Sequence, residues 1–367
     1  MIAVSGMGRA ATRVLAPLLA AASLALGCGS DPQPIKVMTR NLFLGAELTP
    51  LLSALEVSDL AALSGGIWRD IQASRFSERA GVLADEIVLA DPDVVALQEV
   101  SLYRTQTPGD WSTGAVPNAT NVELDFLQLL LAAISARGGN YQSAAVQENA
   151  DEELPATGLD GTTFDIRLTD RDAILVKDGV TFTPGPKGAF PTAFSIPVGG
   201  PQGATLVFRR GFVTADVTRN GKAVRVVDSH LEVGSPLGRI QEQQARDLLE
   251  ALKPMSGPMI LAGDFNSPAD GAGTASFMLL TTKSDAFPAP FRDTWQFRQG
   301  TLGSSFNEFT CCMAITDTNS LPNERIDLIL FRGGVLPVDT AVLDPTKTTS
   351  GLWGSDHLGV SAELQIP

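Results

Sequence analysis

Histidine is scarce in this sequence: a chain of 367 residues contains only two. His230 lies in VVDSHLE and His357 in GSDHLGV, each preceded by a short polar stretch and followed by leucine. This scarcity excludes metal sites built on several histidines, and no H-E-x-x-H pattern is present. Because both imidazoles occur in the same local setting, the sequence raises the question of whether they serve one site.

Cysteine is also rare, with three residues and no C-x-x-C spacing, so a zinc site is not favoured. Two of the three, Cys311 and Cys312, are neighbours in the chain. Consecutive Cα atoms are about 3.8 Å apart, which is below the usual range for a disulfide. An oxidising compartment would still permit the bond. A strained disulfide and two half-buried thiols therefore both remain open.

Positive charge is in deficit, with 27 Lys and Arg against 41 Asp and Glu and a formal net charge of −14. Tight nonspecific binding to a polyanion needs many phosphate contacts from basic side chains, and this composition argues against it. It does not exclude an enzyme that acts on nucleic acid, because a bound metal ion can offset the charge locally. The Gly-x-Ser-x-Gly elbow, the P-loop and the Rossmann fingerprint are all missing.

The apolar run Leu15–Leu26 is too short to span a membrane comfortably. It follows Arg9 and Arg13 and ends in small residues, which predicts a secretion or lipoprotein-type signal over residues 1–28. In a lipoprotein, Cys28 would become the lipidated first residue. Simple secretion and a retained anchor are the alternatives.

Residues 29–34 then read as a short tether, and residues 35–367 as one domain without a composition break that demands a second. Each reading of the signal places this domain outside the cytoplasm, either free or attached to the cell envelope. We expect it to be a monomer.

Strand-like and helix-like runs alternate along this domain, which is typical of a mixed α/β protein with two sheets and outer helices. Predicted strands cover 35–43, 93–100, 173–177, 258–265, 325–331 and 358–366. Helices are predicted over 75–90, 121–139 and 237–252, and a hairpin over 209–231 around Asn220-Gly221. The acidic stretch 148–165 and the Pro/Gly-rich stretch 181–204 are expected to be surface loops.

Polar side chains lie at the ends of several of the apolar strands. There a sheet can present polar groups without burying them unpaired. Caps and Asx-type turns would account for some of them singly. The set combines carboxylates, amides and imidazoles, which suits Mg²⁺ or a similar hard cation. It comprises Asn41, Glu99, His230, Asp264, Asn266, Asp327, Asp356 and His357.

In this order, the segments NLFLG, ALQEV, DAILV, DSHLE, AGDFNS, RIDLIL and SDHLGV resemble the endonuclease/exonuclease/phosphatase superfamily of metal-dependent phosphoesterases. The resemblance covers residues 35–367. It implies a four-layered α/β sandwich, in which two mixed β-sheets pack face to face with helices outside.

The resemblance also implies a metal site. Glu99 matches the main Mg²⁺ ligand of the family, with Asn41 beside it, and Asp356 lies next to the metal or the attacking water. The sequence does not decide between Mg²⁺, Mn²⁺ and Ca²⁺.

The remaining family roles fall on the other strand ends. Asp264 matches the aspartate that orients or deprotonates the attacking water, and Asn266 the asparagine that holds a phosphate oxygen. His230 and His357 match the two histidines at the scissile phosphate. Asp327 matches the carboxylate that hydrogen-bonds the second histidine, here His357.

The partner of His230 is left open between Asp170 and Asp172, which would face the same way in a strand. Arg210, with Arg209 beside it, precedes the strand that leads to His230. Arg210 is a candidate contact for the substrate phosphate, and a salt-bridged surface pair is the alternative for both arginines.

The function expected from the resemblance is hydrolysis of a phosphodiester by a nuclease-like enzyme. The alternatives are a phospholipid or sphingomyelin phosphodiesterase, an inositol or sugar phosphate phosphatase, and a non-enzymatic surface scaffold on a decayed hydrolase fold. The partners expected are a phosphate-ester substrate and, if Cys28 is modified, a membrane. An enzyme that acts on a lipid would need an apolar hairpin that enters the bilayer. Residues 188–200 are the candidate for this hairpin, and a packed loop is the alternative interpretation of them.

Overall fold

The computed structural model describes five ranges of the chain: 34–269, 274–285, 287–298, 308–317 and 319–367. The predicted signal with Cys28, and tether residues 29–33, lie outside them. The strands are β1 (Ile35–Asn41), β2 (Val94–Gln98), β3 (Leu102–Gln106), β4 (Asn121–Asp125), β5 (Tyr141–Thr157), β6 (Thr163–Lys177), β7 (Thr181–Pro184), β8 (Gly188–Val198), β9 (Ala204–Arg219), β10 (Lys222–His230), β11 (Met259–Asp264), β12 (Arg292–Asp293), β13 (Asp327–Arg332), β14 (Leu336–Val342) and β15 (Val360–Gln365). The α-helices are α1 (Val57–Ala73), α2 (Phe76–Ala90), α3 (Phe126–Ser135), α4 (Gly238–Leu252) and α5 (Ala275–Thr281).

The described strands form two mixed sheets. One has the order β14-β15-β1-β2-β6-β3-β4, with β5 paired to β6, and the other the order β12-β13-β11-β10-β9-β7, with β8 paired to β9. Within them β1 and β2 run parallel, and so do β10 and β11. The carboxyl ends of these four strands carry Asn41, Glu99, His230 and Asp264, whereas Asp327 begins β13 and His357 precedes β15.

The two sheets face each other because their strands are apolar on both sides. In β2, Val94 and Ala96 point into the core between the sheets, whereas Val95 and Leu97 point outward to the helices. The outer face of the first sheet is covered by α1, α2 and α3, and that of the second by α4 and α5. The four-layered sandwich implied by the resemblance is confirmed.

Most predicted elements are present with small shifts of their ends. The hairpin turns at Asn220 and Gly221, which both have positive φ angles of 52° and 78°, as a two-residue hairpin turn requires. The segment predicted as one helix over 121–139 is different. Residues 121–125 form β4, and the helix begins only at Phe126, because the Asp125 side chain accepts hydrogen bonds from the first-turn amides and caps it there.

The two predicted surface loops are wrong. Residues 148–165 belong to the long β5/β6 ribbon, in which acidic side chains are neutralised across the strands. Asp151, for example, forms ion pairs with Arg167 and Arg104.

Residues 181–204 contain β7 and β8. Phe190 is buried at 2% exposure, and Phe194 stacks on Phe208 of β9. The candidate bilayer hairpin at 188–200 is therefore mainly a packed strand. Among the described residues, none of the helices is both long and apolar enough to cross a membrane.

Candidate active site

The site forms where the carboxyl ends of β1, β2, β10 and β11 meet between the sheets. Along each of these strands the side chains that face the other sheet are apolar, except at the last one or two of these positions, where they are polar. Two hydrogen bonds then join one sheet to the other: Asn41 Nδ2 donates to Asp264 Oδ2 at 3.0 Å, and Gln98 Nε2 donates to Asp228 Oδ1 at 2.6 Å. The predicted convergence of strand ends is therefore present.

Gly263 allows the parallel strands β10 and β11 to lie close together. Its φ angle is 155°, and a Cβ atom there would lie 1.9 Å from the carbonyl oxygen of Ser229 on β10. A side chain cannot be accommodated at that distance. The glycine of AGDFN thus permits the register in which His230 is paired with Asp264 across the parallel strands.

Asp264 is the centre of the polar group. Its Oδ1 accepts the backbone N–H of Asn266 at 2.9 Å, so the Asx-type turn is present. Its Oδ2 faces Nε2 of His230 at 3.5 Å and Nε2 of His357 at 3.7 Å. Burial raises the pKa of Asp264 to about 6, with a further contribution from Asp327, against the opposing effect of His357.

His357 is held by Asp327, as the resemblance implied. The distance from His357 Nδ1 to Asp327 Oδ2 is 2.9 Å. Burial would lower the pKa of His357, but the surrounding carboxylates of Asp327, Asp264 and Asp356 outweigh it and hold that pKa well above its usual value. His357 is therefore an imidazolium that donates through Nδ1 to Asp327 and presents Nε2–H to the site.

His230 is in the opposite situation, and its predicted carboxylate partner requires correction. Nδ1 of His230 lies 3.0 Å from Nη1 of Arg210. Because a guanidinium can only donate, Nδ1 is the acceptor and the proton resides on Nε2. Burial, Arg210 and His357 together hold the pKa of His230 well below its usual value.

Neither Asp170 nor Asp172 contacts His230, because the Arg210 side chain occupies that position. Arg210 donates to Asp170 Oδ2 at 3.3 Å and forms an ion pair with Glu232 at 3.7 Å. Asp172 instead accepts a hydrogen bond from Asn149 Nδ2 at 2.8 Å. Asp170 and His230 are thus linked through Arg210, which the sequence had suggested as a contact for the substrate phosphate.

Asn266 adjoins the His230 ring. Its Nδ2 donates to the carbonyl of Leu231 at 2.9 Å and lies 3.2 Å from His230 Nε2. The main-chain carbonyl of Asn266 accepts a hydrogen bond from Gln241 Nε2 at 2.5 Å. Its backbone has a φ angle of 48°. Gln241, on α4, was not identified from the sequence.

The predicted metal ligands lie on the first sheet and on the loop before His357. Glu99 Oε2 accepts the backbone N–H of Leu44 at 2.6 Å, and Asn41 Oδ1 accepts that of Phe43 at 2.9 Å. Burial, followed by repulsion from Asp356 and Asp170, raises the pKa of Glu99 to about 7.

Mutual repulsion among oxygen donors is the pattern that a divalent cation relieves, so Asn41, Glu99 and Asp356 fit a hard metal ion. Asp264, Asp327 and His357 also place donor atoms within 4.8 Å of one another.

Arg79, on α2, is a second residue that sequence reading missed. Its fully buried guanidinium donates to the carbonyls of Leu42 at 2.7 Å, Phe43 at 3.0 Å, Gly354 at 3.0 Å and Ser74 at 2.9 Å. It therefore ties the loop after β1 to the loop before His357. The signal in the sequence is an arginine within the apolar stripe of a helix.

The two adjacent cysteines form a disulfide. Cys311 is buried and Cys312 exposed, and Cys311 Sγ lies 3.5 Å from His357 Nε2. The sequence left open a disulfide and two half-buried thiols, and the structure contains the disulfide.

Comparisons with known proteins agree with the fold. The model of the endonuclease/exonuclease/phosphatase family matches residues 65–357. No curated protein matches the chain. A family protein from Bacteroides thetaiotaomicron superposes with a TM-score of 0.56 at 16% identity, covering 92% of this chain and 99% of that one.

Two further solved structures share the fold. The mannosyl-6-phosphatase Bt3783 of Bacteroides thetaiotaomicron gives a TM-score of 0.53 at 18% identity, covering 90% of this chain and 100% of its own. A D. rerio TDP2 humanised by 14 mutations gives 0.50 at 18% identity, covering 90% and 98%. Members of the matched family are divalent-metal-dependent phosphoesterases. The chain belongs to the endonuclease/exonuclease/phosphatase family.

Proposed function

We propose that the chain is a divalent-metal-dependent enzyme that hydrolyses a phosphodiester. The observation that carries the proposal is the convergence of His230 and His357 on one oxygen of Asp264, with His357 paired to Asp327. A charged and a neutral imidazole, together with a carboxylate of raised pKa, supply the proton acceptor and the anion-stabilising groups that phosphate hydrolysis needs.

Asp264 acts as the acceptor for the proton of the attacking water. Its pKa of about 6 leaves it ionised near neutral pH and basic enough to take a proton. His357 presents Nε2–H beside it and stabilises the negative charge that accumulates on the phosphate oxygens. The Asp327 carboxylate keeps His357 protonated and fixes the ring orientation.

His230 and Asn266 hold another phosphate oxygen. Neutral His230 carries its proton on Nε2, and Asn266 Nδ2 is adjacent, so both can donate to an anion there. Arg210 acts through His230 by occupying Nδ1. We propose this in place of direct phosphate binding, because Arg210 is already engaged by Asp170 and Glu232.

Asn41, Glu99 and Asp356 would hold the metal ion, and Mg²⁺ is the ion we propose. When bound, it would neutralise charge on the phosphate oxygens during the reaction. Mn²⁺ and Ca²⁺ use the same oxygen donors and belong in the same assay.

The charge of the site favours a diester over a monoester. Carboxylates surround the histidines, and the positive charge of Arg210 is shared with two of them. A phosphodiester carries one negative charge, whereas a phosphomonoester dianion meets more repulsion. Because a structural relative is named a mannosyl-6-phosphatase, a sugar phosphate is the monoester to test. The diester could come from nucleic acid or from a phospholipid.

We further propose that the protein is exported, as a lipoprotein attached through Cys28 or as a secreted monomer. Support comes from the signal-like residues 1–28 and from the Cys311–Cys312 disulfide, since disulfides persist mainly in oxidising compartments. Metabolic labelling with a fatty acid, compared with the Cys28→Ser variant, tests the anchor. Absence of the protein from the envelope and from the medium would contradict export.

The test of the activity is hydrolysis of bis-p-nitrophenyl phosphate with and without Mg²⁺, compared with p-nitrophenyl phosphate. We expect metal-dependent turnover of the diester that exceeds turnover of the monoester. His357→Ala and Asp264→Asn should abolish it, whereas Asp178→Asn, the same chemical change at an exposed position, should not. No turnover of either ester would favour the scaffold alternative. Greater turnover of the monoester or of a sugar phosphate would overturn the diester preference.

A further inference from the structure

The Cys311–Cys312 disulfide touches the reactive side of the catalytic pair. Cys311 Sγ lies 3.5 Å from His357 Nε2, the nitrogen that also faces Asp264 Oδ2 at 3.7 Å. A disulfide sulfur carries no hydrogen, so it can only accept from the Nε2–H of His357. The sulfur therefore borders the position from which His357 would reach a phosphate.

The backbone around the disulfide contacts the residues before and after His357. The N–H groups of Cys312 and Met313 both donate to the carbonyl of Asp356 at 3.0 Å. The N–H of Leu358 donates to the carbonyl of Thr310 at 2.6 Å. Residues 310–313 are thus hydrogen-bonded along the segment that carries His357.

The same residues contact the start of the strand that carries Asp327. The N–H of Cys311 donates to the carbonyl of Glu324 at 3.1 Å, and Thr310 Oγ1 accepts the N–H of Asp327 at 3.2 Å. Residues 310–313 therefore contact both the segment that carries His357 and the segment that carries Asp327. A change in their conformation would alter the distance between imidazole and carboxylate.

The cross-link coincides with an uncommon backbone conformation. Cys312 has a φ angle of 84°, in the left-handed region that residues with a side chain rarely occupy. A free cysteine would favour a negative φ, which would redirect the N–H groups of residues 312 and 313 away from Asp356. The covalent bond between the two side chains opposes that change.

We propose that the Cys311–Cys312 disulfide is a positioning element of the active site, and that it holds residues 310–313 in the conformation that keeps His357 against Asp327 and Asp264. In its effect on turnover, this inference rests on the proposed phosphodiesterase function. An external dithiol reduces this disulfide. Two electrons from the dithiol break the S–S bond, each cysteine sulfur takes one proton, and the dithiol becomes a disulfide.

The test uses the full chain with Cys28→Ser, so that Cys311 and Cys312 are its only cysteines. The oxidised protein, the dithiothreitol-reduced protein and the reoxidised protein are compared, with the redox state verified by mass. Two readouts are taken: kcat on bis-p-nitrophenyl phosphate at saturating Mg²⁺, and the ring Cε1–H NMR signals of the two histidines, assigned with His230→Ala. We expect reduction to lower kcat about tenfold or more, to move the His357 signal but not the His230 signal, and to be reversed by reoxidation.

Two single substitutions separate the bond from the backbone conformation. Cys312→Ser and Cys312→Gly both remove the disulfide, but glycine adopts positive φ without steric cost. We therefore expect Cys312→Gly to retain more activity than Cys312→Ser. Equal kcat and an unmoved His357 signal in the oxidised and reduced proteins would overturn the proposal. An oxidised protein without turnover would count against phosphodiester hydrolysis, while the His357 signal would still report on the positioning role.

Discussion

His230 and His357 direct their Nε2 atoms at the same oxygen, Oδ2 of Asp264, from 3.5 and 3.7 Å, yet their pKa values are shifted in opposite directions. Burial, Arg210 and His357 keep His230 neutral, whereas three carboxylates keep His357 charged. The site thereby contains one neutral imidazole that donates a hydrogen bond and one positively charged imidazolium. Which histidine performs which role is decided by the groups behind each ring.

The pH dependence of turnover should report Asp264. Its raised pKa of about 6 means that the carboxylate is protonated, and unable to accept a proton from water, below that pH. We expect kcat at saturating metal to rise with pH, with a slope near one on a logarithmic plot, and to level off above about 6. A flat profile between pH 5 and 7 would contradict the assignment of Asp264 as proton acceptor.

Asp327→Asn should impair catalysis while preserving the fold. An amide keeps the shape of the carboxyl group but cannot hold the pKa of His357 up, so part of the imidazolium is lost near neutral pH. We expect kcat to fall by a factor of roughly 10² to 10⁴. In the wild type kcat should also fall at high pH, where His357 loses its proton, and this alkaline limb should move to lower pH in the variant. Asp178→Asn is the matched control. An unchanged alkaline limb in Asp327→Asn would remove the role given to the pair.

Glu99→Gln should stabilise the metal-free protein and weaken its metal binding. The folded pKa of Glu99, about 7, lies above its ordinary value of 4.5. The folded state therefore binds more protons, and the stabilisation from this group is complete below 4.5 and lost as the pH rises through 7. We expect the variant to gain about 1 kcal/mol in the free energy of unfolding at pH 8, after screening of this half-buried group.

Thermal unfolding with and without Mg²⁺ checks this expectation. The wild-type protein should be stabilised by Mg²⁺ more strongly than Glu99→Gln, because a ligand that binds the native state raises its stability. Equal Mg²⁺-induced shifts in the two proteins would exclude Glu99 from the metal site.

Arg210→Gln should raise the pKa of His230. Removal of the cation at Nδ1 leaves burial as the main cause that lowers this pKa, so histidine NMR titration should show a value closer to the ordinary one. We expect kcat/KM to fall about tenfold, since the Nε2–H tautomer is no longer fixed. The adjacent and exposed Arg209 provides the matched control, Arg209→Gln. A similar loss in both variants would indicate a general charge effect and would contradict positioning through His230.

Local patterns predicted much of the sandwich and the strand ends. The strands β2 and β11 are recognisable as runs of apolar residues because both of their faces are buried. The same reasoning failed for residues 148–165, since Asp151 pairs with arginines on β3 and β6, and Glu152 and Glu153 accept backbone N–H groups of distant segments. A window of sequence shows the charge but not its partner.

The partners of the candidate site residues were harder to predict than the residues themselves. The order of motifs located His230 and Asp264, but the position of Arg210 between His230 and the aspartates depends on how a long side chain crosses two strands. Arg79 was missed for a related reason. It contacts main-chain oxygens from a distant helix, and such contacts leave no pattern in the residues that receive them.

The guanidinium of Arg79 has one more consequence. Four of its five acceptors are main-chain carbonyls, at Leu42, Phe43, Ser74 and Gly354, and the fifth is the Ser74 hydroxyl at 3.4 Å. Every amino acid supplies a main-chain oxygen, so these hydrogen bonds do not restrict the side chains at positions 42, 43 and 354. The loops can therefore vary in sequence at these three positions without losing these hydrogen bonds, and the requirement for a particular side chain falls mainly on Arg79 of helix α2.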